Sequence, residues 1–169
     1  ANKRWSKKQK CKIKSSRIDS SKLITQAIIE TNAPIKSIVS ASGIGFYGNT
    51  ESEVSFTETD PPGSDFLARV CKDWEYEVNR ATASGIRTVN IRTGVVLSNK
   101  GGAFVKITAP VKWGFGSTLG SGKQYIPWIH LDDLCALYME AITNIYWHGP
   151  INAVAPVHVT NEEFTKLVG

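Results

Sequence analysis

The chain has 169 residues, a formal net charge of +5 at pH 7 and 41% hydrophobic residues. This length suits one domain with a sizeable core, and the composition excludes a disordered chain, a collagen and a disulfide scaffold. No stretch approaches about 18 uninterrupted apolar residues, and no apolar h-region follows the basic start. We therefore expect neither a membrane span nor a signal peptide.

The positive charge is concentrated at one end of the chain. Residues 1–22 carry nine Lys or Arg against Asp19 alone, and the other 147 residues have a net charge of −3. A basic run of this kind is typical of a nucleic-acid arm. It lacks the interleaved aromatic residues and the fold motif of such binders, so we expect no nucleic-acid partner.

Cysteines and histidines are few and widely spaced. They stand at positions 11, 71 and 135 and at positions 130, 148 and 158. No CxxC or Cys/His ligand spacing occurs, so we expect no metal site and no disulfide framework. Isolated thiols favour a reducing compartment, and we predict a cytoplasmic protein.

The first half of the chain alternates helix and strand signals. Ser6 followed by Gln9 predicts a capped helix that ends near Thr31, before Pro34. A short apolar run over residues 35–42 predicts a strand, and a loop rich in Gly, Ser and Pro follows over 43–63.

A second helix is predicted from Ser64, its cap, to residues 84–85. Its apolar stripe recurs at steps of three and four, at Leu67, Val70, Trp74, Val78 and Ala81. A second strand is expected within residues 86–97, which are nearly all apolar except for Asn90 and Arg92.

The second half continues the alternation. It predicts a weaker helix over 101–110, a glycine-rich loop over 113–123, strands over 125–130 and 150–155, and two further helices. Asp132 or Asp133 is expected to cap the first of these helices, and Thr160 with Glu163 forms a capping box for the second. Strands flanked by helices imply an α/β fold with a parallel sheet. Because the chain begins at a helix and ends just inside another, we expect a fragment of a larger fold.

Several motifs, taken in order, resemble one superfamily. They are residues 40–48 (SASGIGFYG), 91–97 (IRTGVVL), 120–134 (GSGKQYIPWIHLDDL), 152–156 (NAVAP) and 160–164 (TNEEF). In this order they resemble the extended short-chain dehydrogenases/reductases, which include nucleotide-sugar epimerases and dehydratases. Residues 4–5, 16–18, 65–68, 73–75 and 127–130 narrow the resemblance to the atypical branch of NAD(P)-dependent epimerase/dehydratase proteins.

This resemblance implies a Rossmann-like doubly wound parallel sheet that is incomplete at the N-terminus, with part of a smaller C-terminal substrate region. Residues 1–100 would form the C-terminal half of the NAD(P)-binding domain. Residues 101–169 would form a mixed segment with part of the substrate region and a returning strand and helix. The family's glycine-rich fingerprint, which holds the pyrophosphate at a helix N-terminus, is absent from the chain.

The resemblance also implies an activity. The expected function is that of an NAD(P)-dependent epimerase/dehydratase or oxidoreductase, with NAD or NADP as cofactor and a small substrate of the nucleotide-sugar type. The superfamily's Tyr-x-x-x-Lys pair is missing, and Leu67 and Cys71 stand at its two positions. An NAD(P)-binding sensor or interaction module without turnover is therefore the alternative. The oligomeric state stays open, with a homodimer among the possibilities.

Three residues are the catalytic candidates. Ser42 would hydrogen-bond the substrate's reacting oxygen, although small residues here could simply permit a turn. Tyr47 could replace the missing acid, because it lies near the sheet edge. His130 could act as acid or base, although its motif mostly shapes the pocket in the superfamily.

The cofactor-binding candidates are Arg17, Lys12, Ser40, Gly94 and the main chain of Val95 and Val96. Arg17 matches a cofactor-contacting position of the branch, and a guanidinium suits phosphate. Lys12, expected at a broadly similar facing, could assist, or could belong to a solvated basic face. Gly94 would let the backbone approach a ligand closely, unless it is an ordinary glycine between strand and loop.

Overall fold

A computed structural model describes residues 5–48, 55–98, 101, 104, 105, 108 and 121–168. Of the weaker helix expected over 101–110, residues 104, 105 and 108 are described and helical. Most of the remainder, and most of the loop expected over 113–123, lies outside the described residues. The elements are α1 (Lys7–Glu30), β1 (Ser37–Gly43), α2 (Phe66–Asn79), β2 (Arg87–Thr93), β3 (Val95–Leu97), β4 (Tyr125–Ile126), β5 (Trp128–His130), α3 (Leu131–Thr143), β6 (Gly149–Ala153), β7 (Val159–Thr160) and α4 (Asn161–Val168). Two 3-10 turns cover Ile44–Tyr47 and Arg80–Ser84.

A parallel sheet with the order β1-β2-β6 forms the centre of the fold. Strand β3 pairs with β5 in parallel, and β4 pairs with β7 in antiparallel fashion. The expected α/β architecture with a parallel sheet is confirmed. The single strand expected over 125–130 is wrong, because it divides at Pro127 into β4 and β5, which pair with different partners.

The two faces of the central sheet have opposite character. Val89 and Ile91 of β2 are fully buried, and with Ala153 they pack against Ile129 and Ala141. This apolar face is covered by α3. The alternate residues of β2, including Asn90 and Arg92, are also buried but face α2, because side chains alternate along a strand. Helix α1 packs in turn on α2.

The helix starts confirm two of the predicted caps and correct two others. The Ser6 side chain accepts from the Gln9 amide, and the Thr160–Glu163 capping box is present. Asp65, not Ser64, caps α2, because its carboxylate accepts from the Ala68 amide at 2.9 Å. His130, not an aspartate, caps α3.

The two aspartates after His130 have a different role from the one expected. Asp132 and Asp133 lie in the first turn of α3, where negative charge interacts favourably with the helix dipole.

Among the helices of the described residues, none is long and apolar enough to cross a membrane.

Arg87 joins β2 to the C-terminal end of α3. Its Nη1 donates to the carbonyls of Ala141 and Trp147, each at 2.8 Å, and its Nη2 donates to that of Ile142 at 3.1 Å. The helical carbonyls have no partner inside the helix, so Arg87 satisfies groups that would otherwise be left unpaired.

We expect Arg87→Met to lower the free energy of unfolding by roughly 1–3 kcal/mol, since a side chain of similar length leaves these carbonyls without a donor. Urea denaturation of the full-length protein measures the change. Arg80→Met is the matched control, because Arg80 is exposed and pairs with Glu77 three residues before it. Equal effects of the two variants would contradict the assigned role of Arg87.

Candidate functional site

Three polar residues lie side by side at the carboxyl ends of the central strands. Ser42 of β1 is in register with Arg92 of β2, and Arg92 is in register with Asn152 of β6. Ligands of open parallel sheets gather at this edge. The row therefore marks the candidate site.

A buried ion pair anchors the row to helix α2. Arg92 Nε and Nη2 each donate at 2.9 Å to the two oxygens of Glu75, and both side chains are at least 93% buried. Burial alone would lower the pKa of Arg92, but the hydrogen bonds and the charge of Glu75 outweigh it, so the pKa is raised. The guanidinium also lies 3.4 Å from the centroid of the Phe46 ring. The pair is thus fixed on several sides.

Ser42 has a hydrogen bond of fixed direction. Its hydroxyl lies 2.6 Å from Glu75 Oε1. A carboxylate paired with a guanidinium only accepts, so Ser42 must donate to it and offers lone pairs to any other group. One such neighbour is the buried Cys71 thiol, whose pKa is raised by burial and by the charge of Glu75. Ser42 therefore faces α2 and is 7% exposed.

Tyr47 has a similarly occupied hydroxyl. It accepts from Arg92 Nη1 at 2.8 Å and lies 2.8 Å from both Thr57 O and Asn152 Oδ1, so its single hydrogen serves one of these acceptors at a time. Burial raises the pKa of Tyr47, although the hydrogen bond from Arg92 opposes the change. The phenol is therefore neutral at pH 7.

Loop 55–60 lies against this row. The ring of Phe56 stacks on that of Tyr47 with centroids 4.9 Å apart. The side chain of Glu58 accepts from the main-chain amide of Asn152 at 2.8 Å, and the Glu58 carbonyl accepts from Arg92 Nη1 at 3.3 Å. The loop is thus joined to β2 and β6 by polar contacts.

Asp60 closes this loop on itself. Its carboxylate accepts from the Thr57 amide at 2.6 Å and from the Thr57 hydroxyl at 2.9 Å, and these bonds lower the pKa of Asp60. A lowered folded-state pKa means that the stabilisation is complete above the unfolded pKa and is lost as pH falls through the folded value.

We therefore expect amide exchange in residues 57–60 to accelerate as the pH falls through the lowered pKa of Asp60, relative to the intrinsic exchange rates of the same peptides. Hydrogen–deuterium exchange between pH 2 and pH 5, about the range in which aspartates titrate, measures it. In Asp60→Asn this step should be absent, because the amide does not titrate. A step of equal size in both proteins would contradict the assignment.

The basic residues of α1 divide between its two sides. Lys14 pairs with Asp73 at 3.5 Å, and Arg17 lies 5.7 Å from the centroid of the Trp74 ring. Arg17 is half-buried, and its Nη1 donates to Ile13 O and Ser16 Oγ. Lys12 is exposed and does not share its facing, since five residues turn a helix by about 140° beyond one full rotation. The planar guanidinium of Arg17, held over the indole of Trp74, fits a phosphate. Lys12 instead belongs to the solvated basic face of the helix.

Gly94 is needed by the protein's own backbone. A Cβ there would lie 2.6 Å from Pro127 O, and the adjacent Val95 amide donates to that same oxygen at 2.7 Å. Val95 and Val96 are half-buried and pair with Trp128 and Ile129. The main chain at Gly94 therefore lies close to Pro127, the residue just before β5.

The structure does not gather all candidates in one place. Ser42 and Tyr47 are joined through Glu75 and Arg92. His130 is 53% exposed on the side chain, and its Nδ1 accepts from the Asp132 amide at 3.3 Å. Ser40 is half-buried and donates to Ala41 O at 3.0 Å.

Sequence reasoning missed four members of the site: Glu58, Glu75, Arg92 and Asn152. A signal existed for two of them. Arg92 interrupts a buried apolar strand, and Glu75 lies four residues after Cys71 on the buried face of α2. A charge in such a position requires a partner of opposite sign.

Comparison with known proteins places the chain among relatives of one kind. No protein-family model matches it. An epimerase family protein of Mycobacterium tuberculosis is 40% identical over 169 residues, which are 100% of this chain and 55% of that protein. The chain spans about half the length of the curated relatives it matches.

Solved structures agree with this comparison. The nucleoside-diphosphate sugar epimerase from Corynebacterium glutamicum superposes with a TM-score of 0.88 and 36% identity, over 99% of this chain and 36% of that one. The human epimerase family protein crystallised with NADPH gives a TM-score of 0.87 and 32% identity, over 99% of this chain and 58% of that one. The arrangement of α1, the central sheet and α2 is thus shared with both structures.

Proposed function

Because the chain belongs to the atypical extended short-chain dehydrogenases/reductases, in the branch of the epimerase family proteins, we propose that its protein binds NAD or NADP. Its proposed activity is that of an epimerase/dehydratase or oxidoreductase on a small substrate of the nucleotide-sugar type. The polar row at the carboxyl edge of β1, β2 and β6 is the observation that supports this most.

We propose for each residue a role that its surroundings allow. Arg17 binds a phosphate of the dinucleotide, and Ser40, Gly94, Val95 and Val96 form part of the cofactor wall. A bound nicotinamide would supply hydride chemistry. Ser42 donates its hydrogen to Glu75, so it would use its lone pairs to accept a hydrogen bond from a ligand. His130, which is exposed, is the candidate acid or base.

A second candidate function is NAD(P) binding without turnover. Leu67 and Cys71 stand where the superfamily has the Tyr that transfers the proton and the Lys that lowers the pKa of that Tyr. Leu67 has no acidic group and Cys71 has no cation, so this pair cannot take over the task. The hydroxyl of Tyr47 is occupied by Arg92 and its carbonyl neighbours. These observations favour a sensor or interaction module.

Titration of the full-length protein with NADPH, followed by cofactor fluorescence, tests both proposals. Saturable binding is expected, and Arg17→Met should weaken it by about tenfold, the lower end for the loss of one hydrogen bond to a charged group. Lys8→Met is the matched control on the exposed side of α1. Absence of binding by the wild-type protein would overturn both functions.

Turnover separates the two candidates. The protein is incubated with NADP, NAD and a panel of UDP- and dTDP-sugars in deuterium oxide, and the products are read by NMR. Epimerised or dehydrated sugar, or reduced cofactor, supports the enzyme. Tight NADPH binding with an unchanged panel favours the module without turnover.

A further inference from the structure

We propose that Arg92, held by Glu75, is a positioning residue that fixes loop 55–60 as a wall of the ligand site. The role of this wall in binding rests on the proposed function. The fixing of the loop is a property of the chain itself and is tested separately.

The contacts of Arg92 point to two elements at once. Nε and Nη2 hold Glu75 on α2, while Nη1 donates to Tyr47 Oη at 2.8 Å and to Glu58 O at 3.3 Å. Arg92 is 3% exposed, so these bonds form away from water. One guanidinium therefore links helix α2 to the loop.

Tyr47 transmits this link along the loop. Its hydroxyl lies 2.8 Å from Thr57 O, and its ring stacks on Phe56 at an interplanar angle of 13°. Asn152 makes a second connection to the loop. Its side-chain Nδ2 donates to Phe56 O at 3.3 Å, and its main-chain amide donates to the Glu58 carboxylate. The loop is thus fastened by side chains rather than by strand pairing.

Lysine cannot reproduce this arrangement. Its ammonium is a single point of donation, so it can pair with Glu75 or reach Tyr47 but cannot present the planar fork to both. Arg92→Lys keeps the buried positive charge that Glu75 requires and removes the link to the loop. Tyr47→Phe removes the part of the link that runs through the Tyr47 hydroxyl, leaves the bond from Arg92 to Glu58 O, and keeps the stacked ring.

Hydrogen–deuterium exchange of the full-length protein, without ligand, tests the fixing of the loop. We expect Arg92→Lys and Tyr47→Phe each to accelerate exchange in residues 55–60 by about tenfold relative to strands β2 and β6, as for the loss of one hydrogen bond. The double variant should show less than the product of the two effects, because both break one connection. Arg80→Lys is the control, since Arg80 is exposed, lies away from the loop and keeps its charge.

Loop exchange that is unchanged, or that rises equally throughout the sheet, would overturn the proposal. The NADPH dissociation constant is then measured on each folded variant. A rise of about tenfold for both variants, with Arg80→Lys unchanged, supports the wall's role in binding. An unchanged constant despite a loosened loop would overturn that role alone, and absence of binding by the wild-type protein would overturn the proposed function while leaving the exchange result valid.

Discussion

Arg92→Met is expected to destabilise the protein by about 3–5 kcal/mol, because it leaves the carboxylate of Glu75 buried without a counter-charge. Glu75 is 6% exposed and receives two bonds from Arg92, so water cannot replace the guanidinium without opening the sheet from α2. The change is measured by urea-induced unfolding of the full-length protein.

A double variant distinguishes the loss of the counter-charge from the loss of side-chain packing. Arg92→Met combined with Glu75→Gln should cost less than Arg92→Met alone, since no unpaired charge remains. Arg80→Met, which removes an exposed arginine, should stay within about 0.5 kcal/mol of wild type. A double variant as unstable as the sum of the single ones would contradict this explanation.

Gly94→Ala is expected to destabilise the protein by about 1–3 kcal/mol through overpacking. The added Cβ would lie 2.6 Å from Pro127 O and 3.1 Å from Val154 Cγ1, so the main chain just before β3 and just before β5 must separate. The separation also strains the bonds from the Gly94 amide to Ala153 O and from the Val95 amide to Pro127 O.

Gly43→Ala is the matched control for this prediction. A Cβ at Gly43 would meet Cys71 Sγ at 3.7 Å, which is an ordinary contact, so little change is expected. Thermal unfolding of both variants measures the difference. A Gly94 variant as stable as the Gly43 variant would show that the backbone contact with Pro127 is dispensable.

The sequence predicted the elements well because their signals are local. The Ser6 cap depends on neighbours within one turn, and it is confirmed. The apolar stripe of α2 is confirmed at Val70 and Val78, whereas Leu67 and Trp74 are only half-buried. The buried face also includes Ala68, Cys71 and Glu75. The cap of α3 was misplaced because a histidine with an extended backbone can accept the Asp132 amide, a use that residue preferences do not indicate.

The candidate site was harder to predict because its contacts span the chain. Tyr47 meets Asn152 across 105 positions, and Glu75 meets Ser42 across 33. Only the register of β1, β2 and β6 brings these residues together. Sequence reasoning placed Ser42 and Tyr47 at the correct edge, but it could not show that both hydroxyls are occupied by other side chains.

The row formed by Ser42, Arg92 and Asn152 also has a consequence for folding. A slip of one residue in the pairing of β2 would turn Arg92 toward the apolar side, where Ile129 and Ala141 lie, and would take it away from Glu75. Such a slipped sheet would bury the Arg92 guanidinium among apolar side chains and leave the Glu75 carboxylate buried without its partner. The same charges that shape the edge of the sheet therefore select the one alignment of its strands in which they can meet.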